Sequence, residues 1–221
     1  MQGKMLKKLL GLPKSTPYWG LLIERGMWPV EGQLRYKKAM LLHNLVHSDD
    51  NRVAKRAIND QKLSKQPNCF YSEVQETLSL LGIRKEPEKV QKSEWKKVIK
   101  DSIMKKVRKV ASVKRQNMTK LRFVGELDRQ KYVTELTSNE ARQAIRIRLN
   151  MTKYLGGNIG QETSCKLCEE GEETTEHVFE CKAIDNTAKL RAEDLAQTDT
   201  NKMTGIIKLF KKYEEAKKAI G

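Results

Sequence analysis

A chain of 221 residues, 38% hydrophobic and 33% charged, can bury one or two modest cores; its net charge of +16 and pI near 9.7 point to polyanionic partners, nucleic acid (RNA or DNA) first. No apolar run approaches the ~20 residues a membrane span needs, and no secretory h-region opens the chain, so no membrane partner and an intracellular place, nuclear or cytoplasmic, are expected. Three of the four cysteines cluster with a histidine and Cys69 stands alone, which argues for metal binding in a reducing compartment rather than a disulfide framework.

The periodicity predicts a mainly α fold: helical, bundle-like segments with a small Cys-Cys-His-Cys zinc knuckle near the C-terminus. Four segments are expected: a helical region 1–83, a basic helical region 84–137, a helix plus knuckle 138–184, and a helical tail 185–221. Residues 1–23 read as the end of a helix stopped at Gly11 and Pro13. Pro29 opens a helix with Leu34, Leu41, Leu42, Leu45 and Val46 on its apolar face. Ser48 and Asp49 are placed to cap the next, which carries Val53, Ala54, Ala57 and Ile58. After a break at Pro67 and Asn68, Phe70, Val74, Leu78 and Leu81 repeat at helical spacing up to Gly82.

Residues 84–131 hold 17 Lys and Arg against 6 Asp and Glu. Ser93 is the candidate N-cap of their helix. Trp95, Val98, Ile99, Ile103, Val107 and Val110 form one stripe, and Lys96, Lys97, Lys100, Lys105, Arg108 and Lys109 fill the opposite face. Those six cations are the candidate nucleic-acid contacts. They would hold phosphates without reading bases. Ser138 is the candidate cap of a further helix through Ala141, Ala144, Ile145 and Leu149, ended by Gly156 and Gly157. Ile206, Ile207, Leu209, Phe210 and Tyr213 mark a C-terminal packing or tail helix.

The strongest local signal is Cys165-x2-Cys168-x8-His177-x3-Cys181. Two cysteines three apart turn both thiolates toward one point, and residues four apart share a helix face. Four such ligands close a tetrahedral site, and a closed site is structural rather than catalytic. Zinc is the expected ion. Between residues 161 and 194 the charge reverses, with 10 acids against 4 bases. Glu169, Glu170, Glu172 and Glu173 make the knuckle loop acidic, so it should avoid phosphates and serve as a fold staple.

Asp49-Asp50 superficially resembles a polymerase metal pair, but helical patterns flank it and capping explains it. His43 and His47, four apart, lack a third ligand nearby. Neither a glycine-rich phosphate loop nor a nucleophile elbow is present in the sequence. No catalytic residue and no organic cofactor site is expected.

Two stretches resemble the C-terminal region of reverse transcriptases from LINE-type (non-LTR) retrotransposons. LKKLLGLPKSTPYWGLLIERGMWPVEGQLRYKKAMLLHNLV, residues 6–46, is similar to the segment beyond the polymerase palm. ARQAIRIRLNMTKYLGGNIGQETSCKLCEEGEETTEHVFEC, residues 141–181, is similar to the helix, glycine turn and knuckle near the ends of such polyproteins. The family's knuckle maps onto Cys165, Cys168, His177 and Cys181, while its eight-residue interval is longer than in the retroviral nucleocapsid knuckle. The resemblance implies a nucleic-acid-binding accessory region that acts beside a palm supplied elsewhere. The catalytic aspartates of that palm would precede Met1, and this chain would be a fragment or remnant without polymerase activity of its own. A zinc-stapled protein-interaction module and a non-functional remnant are the competing readings.

Overall fold

The computed structural model describes residues 1–64, 66–152 and 164–220. Among them the chain is mainly helical, as the periodicity predicts, and β structure is limited to two isolated bridges, Arg25 with Arg129 and Ser164 with Glu172. None of the described helices is long and apolar enough to cross a membrane. The chain divides into two compact units, residues 28–110 and residues 1–27 with 111–221. This division cuts across the four segments read from the sequence.

The unit of residues 28–110 holds α3 (Val30–Val46), α4 (Val53–Ser64), α5 (Phe70–Leu80), a 3-10 turn at Pro87–Lys89, and α6 (Lys92–Gln116) as far as Val110. Pro29 is the N-cap residue of α3. The inward face of α3 is Gly32, Ala39, Leu42, His43 and Val46, whereas Leu34 and Leu41 are exposed. The helix is rotated relative to its leucine pattern because its partner needs small and polar positions. Trp95 of α6 is fully buried and donates its indole N–H to the Ala39 carbonyl at 3.0 Å. At Gly32 an added Cβ would lie 3.4 Å from Ile103, so α3 and α6 touch closely there.

Of the residues expected to turn α4 inward, only Ile58 is buried, and Val53 is exposed. Ser48 and Asp49 do not cap it. Ser48 donates back to the Leu45 carbonyl, and the Asp49 side chain accepts from Asn51 N–H, closing a turn that leaves Arg52 as the first acceptor of α4. The cap of α5 is Cys69, whose sulfur accepts from Ser72 N–H while the Ser72 hydroxyl accepts from Cys69 N–H. This gives the isolated cysteine a structural role. In α6, Trp95 N–H bonds to Gln91 C=O at 2.9 Å, so the helix begins before Ser93 and that serine lies inside its first turn. Trp95, Ile99, Ile103 and Val107 form the buried stripe, and Val110 is exposed.

The other unit holds α1 (Gln2–Leu9), α2 (Tyr18–Glu24), α7 (Lys131–Glu135), α8 (Ser138–Arg148), α9 (His177–Glu180) and α10 (Thr200–Ile220). Gly11 ends the α1 region with φ +57°, and Leu12 N–H returns to the Lys7 carbonyl, as the glycine predicts. The cap of α8 is Thr137 rather than Ser138. Thr137 and Glu140 exchange bonds in a capping box, which fixes the choice between two adjacent hydroxyl residues. The same helix stops at Leu149. Asn150 adopts φ +53°, and Met151 N–H returns to the Arg146 carbonyl. Gly156 and Gly157 lie outside the described residues.

A buried ion pair explains why residues 1–27 join the later part of the chain. Glu24 and Arg148 are fully buried, and Arg148 Nε meets Glu24 Oε1 at 2.9 Å. The Tyr132 hydroxyl donates to the other Glu24 oxygen. Arg148 also donates to the carbonyls of Leu195 and Gln197. Burial, reinforced by the Glu24 charge, holds the Tyr132 phenol well above its usual pKa. The last helix is not a loose tail: Met203, Ile206, Ile207, Leu209, Phe210 and Tyr213 are buried, and α10 packs on α7, α8 and α9.

Candidate metal centre

The segment around the knuckle has little regular structure to hold it, so its local bonds matter. The bridge between Ser164 and Glu172 brings the two sides of the loop together, and Cys165 N–H bonds to Gly171 C=O at 3.0 Å. Between them the turn closes through Glu169 N–H on the Cys165 carbonyl at 2.7 Å. Gly171 has φ +74°, and a Cβ there would lie 3.3 Å from His177 Nδ1. Glycine thus satisfies both the left-handed backbone and the close approach of the imidazole. His177 opens α9 and Cys181 follows its last residue. Val178 and Phe179 face inward, and the Phe179 ring meets Phe210 of α10 edge-on at 5.6 Å.

All four expected ligand residues are brought together. One donor atom from each of Cys165, Cys168, His177 and Cys181 lies within 4.8 Å of the others. Cys165 Sγ and Cys181 Sγ are 3.9 Å apart, and Cys168 Sγ is 3.3 Å from His177 Nε2. With metal–sulfur bonds of about 2.3 Å and metal–nitrogen bonds of about 2.0 Å, a tetrahedron has donor–donor edges of roughly 3.5–3.8 Å. The cluster therefore has the dimensions to hold one metal ion, and Nε2 is the imidazole atom turned toward the sulfurs.

The electrostatics fit the same use. Burial opposes ionisation of Cys165, but hydrogen bonds from the Tyr213 hydroxyl and from Cys168 and Leu167 N–H outweigh it and bring the thiol down to about 6. Burial pushes the Cys181 thiol up to about 12; the Ala183 N–H opposes this, and the Cys168 and Cys165 sulfurs add to it. One thiolate forms readily and the next is costly beside it. A divalent cation would replace the protons and relieve that repulsion.

Three residues outside the cysteine motif support it, and the sequence reading assigned none of them this role. Tyr213 of α10 places its hydroxyl 3.4 Å from Cys165 Sγ and 2.8 Å from Glu173 Oε1. Lys217, one helical turn further, pairs with the same Glu173 carboxylate, and both of those side chains are nearly buried. Burial raises the Tyr213 phenol pKa, and its bonds with Cys165 and Glu173 raise it further. The available signal was the four-residue step from Tyr213 to Lys217 on a helix whose partner was unknown. Glu173 consequently turns inward, whereas Glu169, Glu170 and Glu172 remain exposed as the acidic loop requires.

The six cations expected to meet nucleic acid, Lys96, Lys97, Lys100, Lys105, Arg108 and Lys109, are all exposed on α6. None has an ion-pair partner among the described residues. Asp49 and Asp50 are exposed, and Asp50 lies 4.0 Å from Lys55. His43 is buried with Nε2 on the Val90 carbonyl at 2.9 Å and stacks on His47, whose Nδ1 meets the His43 carbonyl. Both rings thus have structural contacts. No family model, curated protein or solved structure matches the chain.

Proposed function

We propose that the chain is a zinc-stapled, nucleic-acid-binding accessory region of the kind that follows the palm in LINE-type reverse transcriptases. The observation that carries this reading is the unpaired cationic face of α6, six side chains on a helix anchored from the other side by Trp95, Ile99, Ile103 and Val107. Such a face follows a phosphate backbone and releases its counterions, so the bound partner is RNA or DNA without base selection. Aromatic residues make up only 6% of the chain, few platforms for stacking single-stranded bases. A structured RNA or a hybrid duplex suits the face best.

Zinc is the proposed ion because three thiolates and an imidazole in a closed tetrahedron are its ordinary structural ligands. Its role is to hold the knuckle together where hydrogen-bonded structure is sparse. Metal analysis of purified protein should give one zinc per chain, and Cys168→Ser should lose most of it.

Changing Lys96, Lys100, Lys105 and Arg108 together to Glu tests the binding face. Affinity for unrelated duplexes should drop, and the slope of log affinity against log salt should flatten by roughly one for each phosphate no longer neutralised. Unchanged binding in the folded variant, with loss in Cys165→Ser, would move the site to the knuckle. Binding to a protein partner that is insensitive to salt would favour an interaction module instead.

A further inference from the structure

The unit of residues 28–110 carries an aromatic pair that its core does not absorb. Trp28 and Tyr36 meet edge to face, with ring centroids 5.9 Å apart and planes at 70°, and both are partly exposed. Two contacts between α3 and α6 fix where the pair sits. A Cβ at Gly32 would lie 3.6 Å from Trp28 Cβ and 3.4 Å from Ile103, and the Trp95 indole donates to the Ala39 carbonyl. The early part of α3 thus faces the later part of α6, and the two helices run antiparallel. Tyr36 lies between Gly32 and Ala39, so it stands level with the α6 turn from Ile99 to Ile103.

The flank is fixed as well. In antiparallel helices, the residues one step after each buried row emerge on the same side of the contact. After Trp95 and Ile99 these are Lys96 and Lys100. After Ala39 it is Met40, and Tyr36 lies one turn before Met40 on the same face. A partly exposed tyrosine is therefore bordered by two exposed ammonium groups. Neither lysine covers its ring, since the cation–π contacts among the described residues are made by Arg122 and Arg148. An aromatic face beside cations fits a nucleotide, with the base on the ring and phosphate on the lysines. It is one platform rather than a series, so it takes one base rather than a length of single strand.

We propose that Tyr36, braced by Trp28, stacks on one unpaired base next to the duplex whose phosphates α6 contacts. The assignment rests on the α6 reading and names its nucleic acid more closely: a duplex with an overhanging or bulged nucleotide.

Fluorescence anisotropy with the full zinc-loaded chain tests it. The probes are duplexes with one unpaired adenine at the 3′ end, at the 5′ end or in a bulge, each paired with the same duplex carrying an abasic nucleotide there. The two members of a pair have equal phosphate charge, so their affinity ratio reads the base alone. At least one pair should differ by about fivefold or more, the low end of what one base stacked on an aromatic contributes, and the pair that does so locates the unpaired base. Tyr36→Leu should bring that ratio near one and leave the salt slope unchanged, because no phosphate contact is lost; Tyr36→Phe should keep it. Ratios within about twofold for all three pairs in the parent chain would overturn the assignment, as would an undiminished ratio in a folded Tyr36→Leu chain. The failures are distinguishable. Equal base and abasic binding that the fourfold α6 variant loses would leave the α6 reading standing and remove the stacking, whereas parent-like binding by that variant would remove both.

Discussion

Tyr213→Phe removes one oxygen from α10 and should weaken metal binding without disturbing the helix. The ring stays buried, so the packing is retained, but Cys165 Sγ loses the hydroxyl 3.4 Å away. Tyr213 has one proton and two acceptors, the thiolate and Glu173 at 2.8 Å. The shorter bond is the one to Glu173, and Lys217 pairs with that same carboxylate oxygen, so neutralising Glu173 lowers its hold on the phenol proton and favours the thiolate as its acceptor. A hydrogen bond to a charged acceptor contributes about 1.5–3 kcal/mol. The long oxygen–sulfur contact places this one at the low end, or roughly tenfold in affinity. That agrees with the 10–100-fold losses typical of groups that support metal ligands. Lys217→Met should act in the same direction, since an uncompensated Glu173 would take the proton. The double variant should lose little more than either single one, because both act through the same hydrogen bond. Competition for zinc with a chromophoric chelator at fixed pH measures all three. Affinity within about twofold of the parent in a folded Tyr213→Phe chain would refute the reasoning, as would additive losses in the double variant.

Arg148→Met should destabilise its unit by about 3–5 kcal/mol, because it leaves the Glu24 carboxylate buried without a cation; urea unfolding followed by circular dichroism measures this, and Glu24→Leu in the same chain should recover part of it. Thr137→Ala removes the α8 cap and should cost about 1 kcal/mol in the same assay. Metal affinity should fall as pH falls. Loading must displace the proton of Cys181, whose thiol stands at about 12 without the ion, and acid favours the protonated form; chelator competition at several pH values should show this slope. Chelation should also collapse amide exchange protection across residues 165–181, while α3 and α6 as far as Val110 keep theirs.

Much of the metal centre was legible in the sequence because ligand chemistry permits few residue types, and short spacings are set by local turns. Cys165 and Cys168 meet through a loop, and His177 and Cys181 through one helical turn, so neither pair depended on distant packing. The helices were legible for a similar reason, through their period. What failed depended on competition between neighbours or on unknown partners. Thr137 displaced Ser138 because Glu140 stands three residues after it and not after Ser138. Leu34 and Leu41 were expected inside, but the Trp95 indole meets α3 at Ala39, and that contact sets its rotation. Tyr213 had the look of a core residue and is one; only the distance to Cys165 gives it a second use.

Arg148 carries a signal of its own in the pattern of α8. It lies three residues after Ile145 and four after Ala144, so the stripe that buries those two also buries a guanidinium. A cation in core register requires an anion in core register elsewhere, and Glu24 directly follows the buried run Leu21, Leu22 and Ile23. Opposite charges, each embedded in an apolar face, are much rarer than charges on a solvated face, because an unpaired one would be too costly to bury. Glu24 and Arg148, 124 positions apart, are therefore expected to pair and to join the first helices to the last ones. By contrast, the six α6 cations sit on the solvated face of their helix, where charge costs little and needs no internal partner. Among the described residues those six have no ion-pair partner, which is the state the proposed phosphate contacts require, whereas Arg148 is committed to Glu24.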